Sequence, residues 1–204
     1  YATALDELKL ALAAKPEFGA AYNMRGLVYS AMGEDRLAEE SFARALAINP
    51  RDADAMHNRA WFYCQRNRFD EADRQFEQAI AQPQYLDLSR SLMAHGICNA
   101  RAGRMVPAEQ TLLRAYEVDP TNPTTAYNLA DVLYRRSELE RARFYIRRVN
   151  DNEELSNAQT LWLGARIEYK LGNRALAFGL GDQLRKRYPQ APETLAFEQG
   201  RFDD

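Results

Sequence analysis

The chain has 204 residues, of which 27% are charged and 46% apolar, a composition typical of a folded globular protein rather than a disordered one. The formal net charge is −2 at pH 7 and is balanced between the two halves, which argues against a general nucleic-acid or membrane-surface binder. No apolar run approaches the ~18–20 residues that a membrane-spanning helix requires.

Residues 1–18 form the first predicted element, the second helix of a repeat whose first helix would precede this sequence. Pro16 lies 34 residues before Pro50, and apolar residues stand at matching distances before each proline. Because Tyr1 then falls in the middle of a repeat, we expect the natural N-terminus, with any targeting signal, to lie upstream.

Residues 19–52 show the clearest pattern, in which apolar residues recur at helical spacing on both sides of a turn at Gly33. Small residues fall where two helices must approach closely, and aromatic residues fill the space between them. The defining positions are Tyr22, Gly26, Tyr29, Gly33, Ala38, Phe42, Ala45 and Pro50. This spacing is similar to that of the tetratricopeptide repeat (TPR), a helical hairpin of 34 residues.

The same register continues along the chain, except that the third repeat ends irregularly, with Pro83 one residue early and two extra residues inserted before the next repeat. We expect further repeats at residues 53–88, 89–122, 123–157 and 158–191. Gly181 stands where the second helix of a repeat usually has Phe, so that helix should pack differently. Residues 192–204 begin with Pro192 and hold few apolar residues, which predicts a capping helix with a polar outer face.

These elements predict an all-α fold in a single domain, residues 1–204. A single repeat cannot bury its own apolar face, so neighbouring repeats must share one continuous core. We expect a right-handed TPR superhelix of about five and a half repeats plus the C-terminal capping helix.

No motif indicates catalysis or cofactor binding. The FGLG sequence at residues 178–181 lies inside a helical pattern and lacks the strand and the lysine of a nucleotide-binding loop. Only two histidines occur, and none forms a Ser-His-Asp or Cys-His arrangement with a supporting context. His57 and Cys64 are about 10 Å apart along one predicted helix, too far to share a zinc ion. We therefore expect no enzyme, no cofactor and no metal site.

Two cysteines, Cys64 and Cys98, lie on the first helices of adjacent repeats. First helices of neighbouring repeats pack side by side, so the two thiols can meet. One interpretation is a pair of buried free thiols that act as small apolar side chains. The other is a disulfide, which requires Cα atoms within roughly 7 Å and an oxidising compartment.

The first helices of a TPR array line its concave groove, and their inward positions are the candidate partner-binding residues. These positions hold Asn23, Leu27, His57, Trp61, Arg90, Met93, Tyr127, Asp131, Tyr134, Trp162, Arg166 and Tyr169. Aromatic residues with scattered charge are typical of protein-binding surfaces. The alternative for Trp61 and Trp162 is that each packs between helices.

Two other recognition modes are less well supported. Some TPR proteins clamp a C-terminal carboxylate with a Lys/Asn/Lys/Arg set, but here Asn23 and Leu27 stand where Lys and Asn belong. The six arginines between Arg135 and Arg148 could form a patch for an anionic partner. A solvated helix with ion pairs to Glu138 and Glu140 is the simpler interpretation of that run.

The middle of the chain resembles one family more closely than TPR proteins in general. The distinctive segments are WFYC at 61–64, AQPQYLDLSR at 81–90, GIC at 96–98, LGARI at 163–167 and LRKRYP at 184–189. They resemble the bacterial type IV pilus biogenesis/stability lipoproteins, the pilotins that help the outer-membrane secretin assemble.

This resemblance implies a periplasm-facing protein, tethered to the outer membrane by an N-terminal lipid that lies outside this sequence. It implies that the groove binds a segment of the secretin, and a periplasmic location favours a Cys64–Cys98 disulfide. We expect a monomer with a protein partner, with no nucleic acid and no membrane contact other than the lipid. The alternative is a general TPR adaptor for another envelope or cytosolic complex.

Overall fold

Twelve α-helices make up the computed structural model, which describes residues 1–202, and no strand occurs in that part of the chain. The predicted all-α class is confirmed. The helices are α1 (Ala2–Ala14), α2 (Gly19–Met32), α3 (Asp35–Ile48), α4 (Ala53–Gln65), α5 (Phe69–Ile80), α6 (Leu88–Arg101), α7 (Met105–Val118), α8 (Pro123–Arg135), α9 (Leu139–Asn150), α10 (Ala158–Lys170), α11 (Arg174–Arg187) and α12 (Pro192–Glu198). None of the described helices is both long enough and apolar enough to cross a bilayer.

The helices fall into two compact units. The N-terminal unit comprises residues 1–104 with α1–α6, and the C-terminal unit begins at Met105 with α7. In the N-terminal unit α2 pairs with α3 and α4 with α5, and α4 also packs on α2 and α6. In the C-terminal unit α8 pairs with α9 and α10 with α11, and α10 also packs on α9 and α12. Each unit is thus a stack of helical hairpins.

Side-chain caps and turns set the starts and ends of these hairpins. Asp52 accepts a hydrogen bond of 2.9 Å from the Ala55 backbone and begins α4. Asn157 and Thr160 form a reciprocal capping box at the start of α10. The irregular connection expected after the third repeat is the segment between α5 and α6, in which Gln84 has a positive φ of 59°.

Close helix approach explains the glycine at the centre of the best-defined repeat. A Cβ atom built on Gly26 of α2 would lie 2.6 Å from the ring of Phe42 in α3, closer than any real side chain allows. Phe42 is completely buried as a result. The small residue and the aromatic residue are therefore one packing unit, as the sequence pattern predicts.

The end of the chain contributes more to the core than its sequence suggests. Phe197 of α12 lies directly against Gly181 of α11, in space that any side chain at 181 would fill. Phe197 and Phe202 are both buried, and they join a core cluster with Leu161 and Leu184. The residues after Pro192 therefore seal the last hairpin with two aromatic side chains, although the sequence indicated few core residues there.

Candidate protein-binding grooves

In the N-terminal unit, half-buried polar residues lie on the first helices α2 and α4. Asn58 of α4 donates a hydrogen bond of 3.1 Å to the side-chain oxygen of Asn23 in α2, and both residues are half-buried. Leu27 lies one turn further along α2 and packs on the edge of the core. Asn58 was not among the predicted groove residues, although amide side chains can both donate to and accept from a peptide backbone.

His57 is buried, contrary to its predicted position on the groove surface. The residue has 7% of its surface exposed, and its ring forms a hydrogen bond of 2.7 Å with Ser91 of α6. The Ser91 hydroxyl also bonds to Tyr85 at 2.9 Å. Burial, with a smaller contribution from the charge of nearby Arg90, lowers the pKa of His57 to about 4. The ring is therefore neutral at pH 7 and joins α4 to α6, because its place on α4 faces the neighbouring helix.

Trp61, Arg90 and Met93 remain accessible on the same unit. Trp61 is half-buried and packs against the core, so the packing interpretation and the surface interpretation each describe part of this side chain. Met93 is also half-buried. Arg90 is exposed and forms an ion pair of 2.8 Å with Asp54, which holds its guanidinium beside α4.

A disulfide joins Cys64 of α4 to Cys98 of α6, with the two Cα atoms 5.8 Å apart. Both cysteines are buried, and the bond closes 34 residues of chain. It links the first helices of two successive hairpins on which Trp61 and Met93 lie. The disulfide therefore fixes the spacing of the surface that these residues form.

In the C-terminal unit, the predicted groove residues lie on α8 and α10. Tyr127 and Asp131 are half-buried on α8. Asp131 forms an ion pair of 2.8 Å with Arg135, but burial is the larger influence and raises the pKa of this carboxyl. Burial likewise raises the pKa of the Tyr127 hydroxyl. The face thus carries polar groups that are partly removed from water.

The other four predicted residues of this unit surround the chain's own residue Phe202. The ring of Phe202 stacks on Tyr169 with centroids 4.0 Å apart and lies 5.3 Å from the ring of Trp162. The backbone oxygen of Phe202 accepts hydrogen bonds of 3.3 Å from the Tyr134 hydroxyl and from Nε of Arg166. Tyr134 has only 8% of its surface exposed as a result. The sequence pattern did not reveal this occupant.

The arginines of the predicted basic run are mostly paired with carboxylates. Glu109 of α7 is buried and binds both Arg136 and Arg141. Arg143 pairs with Glu140 at 2.6 Å. This pairing favours the interpretation of the run as an ion-paired helix surface. Within residues 1–202, no group of three or more His, Cys, Asp or Glu side chains is arranged to hold a metal ion.

Comparison with known proteins shows that the chain is similar to tetratricopeptide-repeat families and to a type IV pilus assembly protein. Tetratricopeptide-repeat models match residues 19–52 and 41–75. The sequence is 27% identical over 191 residues to the type IV pilus assembly protein PilF of Pseudomonas aeruginosa (strain PAO1), over 94% of this chain and 75% of PilF. The predicted TPR fold is therefore confirmed.

Two solved structures resemble this one closely. The structure of PilW, described as a widely conserved type IV pilus biogenesis factor, matches with a TM-score of 0.87 and 30% identity, over 97% of this chain and 90% of PilW. The structure of P. aeruginosa PilF matches with a TM-score of 0.82 and 26% identity, over 95% of this chain and 86% of that one. The similarity thus extends over nearly the whole helical array.

Proposed function

Because this chain belongs to the TPR family of type IV pilus biogenesis proteins that includes PilW, we propose that it is a non-enzymatic scaffold that binds another protein of the pilus machinery. The observation that carries the proposal is the match to PilW over 97% of the chain. Stacked helical hairpins with half-buried aromatic residues on their first helices suit this role, since aromatic anchors contribute much of the binding energy at protein interfaces.

The finer proposal is that the protein is a pilotin, and that its partner is the secretin of the pilus. Binding to the secretin would aid its localisation to the outer membrane and its assembly into multimers. In the N-terminal unit the proposed contact residues are Asn23, Leu27, Trp61, Arg90 and Met93. In the C-terminal unit they are Tyr127, Asp131, Tyr134, Trp162, Arg166 and Tyr169.

We propose that the protein acts at the periplasmic face of the outer membrane, held there by a lipid on a segment upstream of Tyr1. The Cys64–Cys98 disulfide supports a periplasmic location, because structural disulfides persist in oxidising compartments and are rare in a reducing cytosol. The protein would act as a monomer, with the anchor carrying the bound secretin subunit to the membrane.

A retention experiment tests this proposal. The wild-type chain, Trp61→Ala and Phe144→Ala are immobilised and incubated with solubilised cell envelope, and the secretin is detected by antibody. Phe144 is the matched control, because it is an aromatic residue on the second helix α9 with 52% of its surface exposed. Circular dichroism and thermal unfolding verify that each variant is folded.

We expect wild type and Phe144→Ala to retain the secretin and Trp61→Ala to lose most of it. Loss of a central aromatic anchor typically costs about 2 kcal/mol or more of binding free energy, which is roughly a thirtyfold loss of affinity. If neither wild type nor either variant retains the secretin, the result would contradict the pilotin proposal and favour a TPR adaptor for another complex. Equal retention by all three would contradict the proposed contact surface.

A further inference from the structure

Residues 200–202 of this chain return to the first helices of the last repeats after α12 ends. Gly200 has a φ of 68°, and the amides of Gly200 and Arg201 donate to the carbonyls of Phe197 and Ala196. This arrangement is a Schellman motif, which ends a helix and reverses the chain. The turn directs Phe202 onto α10, where only 4% of its surface remains exposed.

The contacts of Phe202 have two parts, one for its side chain and one for its backbone. The ring lies nearly parallel to Tyr169, with an angle of 6° between the planes, and tilts against Trp162. The backbone oxygen accepts from two helices, through Tyr134 of α8 and Arg166 of α10. The first part holds an aromatic ring, and the second satisfies a main-chain carbonyl that is removed from water. Both groups are present in any peptide segment that carries an aromatic residue, so the same four side chains can bind such a segment from another protein.

We infer that Tyr134, Trp162, Arg166 and Tyr169 form a binding site, here named the aromatic clamp, for a peptide segment that carries an aromatic side chain. In this inference residues 200–202 occupy the clamp when no partner is bound, and the partner's aromatic residue replaces Phe202. The inference deepens the proposed function, on which it rests for the identity of the natural partner, while the clamp itself can be tested with purified protein alone.

The charge around the clamp indicates what else the ligand carries. Arg166 lies over the ring of Tyr134, at 4.7 Å from its centroid. Arg174 lies 4.6 Å from the centroid of Tyr169. These cations border the aromatic surface, so acidic residues next to the aromatic one would be attracted. The clamp should therefore prefer an aromatic residue followed by Asp or Glu, as in the chain's own sequence RFDD at 201–204.

The test uses the 204-residue chain and a synthetic peptide with the sequence EQGRFDD of residues 198–204. A Trp61→Phe background leaves Trp162 as the only tryptophan, because the chain has two. In this background Phe202→Ala empties the clamp, and the emission of Trp162 should shift to longer wavelength as water reaches the ring. Addition of the peptide should reverse the shift.

Affinity gives the quantitative outcome. The peptide should bind Phe202→Ala at least tenfold more tightly than it binds the parent, because a site that is open one tenth of the time has a tenfold weaker apparent affinity. A peptide with Ala in place of Phe should not bind. Tyr169→Ala added to Phe202→Ala should weaken peptide binding at least tenfold. Equal affinity of parent and Phe202→Ala for the peptide, or no binding to either, would overturn the inference.

A second variant keeps the test decisive if Phe202→Ala does not fold. Gly200→Ala retains Phe202 but strains the left-handed turn that seats it, so the peptide should bind this variant more tightly than it binds the parent. No gain in affinity would overturn the inference. Secretin retention is a separate readout. Peptide binding without secretin binding would leave the clamp established and refute the pilotin proposal. Secretin binding without peptide binding would refute the clamp alone.

Discussion

The disulfide between Cys64 and Cys98 should contribute a large share of the stability of the N-terminal unit. It closes a loop with a sequence separation of 34 residues. The loss of chain entropy in the unfolded state for a loop of that length corresponds to about 3–4 kcal/mol at 25 °C. The bond also joins α4 to α6 across two hairpins, so its removal should loosen the surface that carries Trp61 and Met93.

The assay is urea unfolding followed by the emission of Trp61, in a Trp162→Phe background so that the signal reports on the N-terminal unit. Trp61 packs against the core cluster that contains both cysteines. The oxidised chain, the same chain reduced with dithiothreitol, and the double variant Cys64→Ala/Cys98→Ala are compared. Reduction retains both sulfur atoms, so it isolates the covalent link from side-chain packing.

Reduction should lower the free energy of unfolding of the parent by about 3 kcal/mol, and the double variant should be at least as destabilised and insensitive to the reductant. A change below about 1 kcal/mol on reduction would refute the reasoning, because it would mean that the loop is already constrained without the bond. Sensitivity of the double variant to dithiothreitol would show that the effect has another origin.

Three further predictions follow from packing and charge. Gly26→Ala should destabilise the chain by about 1–3 kcal/mol in chemical denaturation, because its Cβ would overlap Phe42. Gly179→Ala, where a Cβ meets no atom within 4 Å, should be neutral or should stabilise the chain by up to about 1 kcal/mol. Equal effects of the two substitutions would contradict the close approach of α2 and α3. Glu109→Gln should lower the free energy of unfolding by about 1–3 kcal/mol in the same assay, because it leaves Arg136 and Arg141 without their shared carboxylate. Glu140→Gln, at an exposed ion pair, should lower it by less than about 1 kcal/mol. A comparable loss for both variants would contradict the burial of Glu109. The pKa of His57 is lowered to about 4, so the unfolded state takes up a proton first as the pH falls below about 6.5. This ring, which faces Arg90 and Asp87, should therefore lower the free energy of unfolding of the parent by about 2 kcal/mol between pH 7 and pH 5. His57→Gln should lack this loss, and parallel pH profiles of the parent and the variant would refute the prediction.

The sequence was sufficient to predict the helical hairpins, because their pattern is local. Gly26 and Phe42 are only one hairpin apart, and their spacing is dictated by the close approach of two helices. The irregular segment before α6 was also visible as a break in the repeat. The role of Gly181 was only half evident: its small size was noted, but its partner Phe197 lies beyond the last recognisable repeat.

The candidate site was less predictable because it depends on contacts between distant residues. The Tyr134 hydroxyl bonds to a backbone oxygen 68 residues away, in a segment without any repeat pattern. His57 occupies an inward position on α4, but the neighbouring Ser91 binds its ring and removes it from the surface. Asn58, one residue away, lies half-buried beside Asn23 instead. Repeat register predicts which face a residue occupies and does not predict which groups pair across that face.

The most direct test of the central claim is site-specific photo-crosslinking in living cells. A photoreactive amino acid replaces Leu27, a half-buried residue of the proposed contact surface, or Phe144, which is exposed on α9. The account predicts an ultraviolet-dependent adduct with the secretin from position 27 and none from position 144. An adduct from position 144 alone, or no secretin adduct from position 27 in cells that assemble pili, would contradict it.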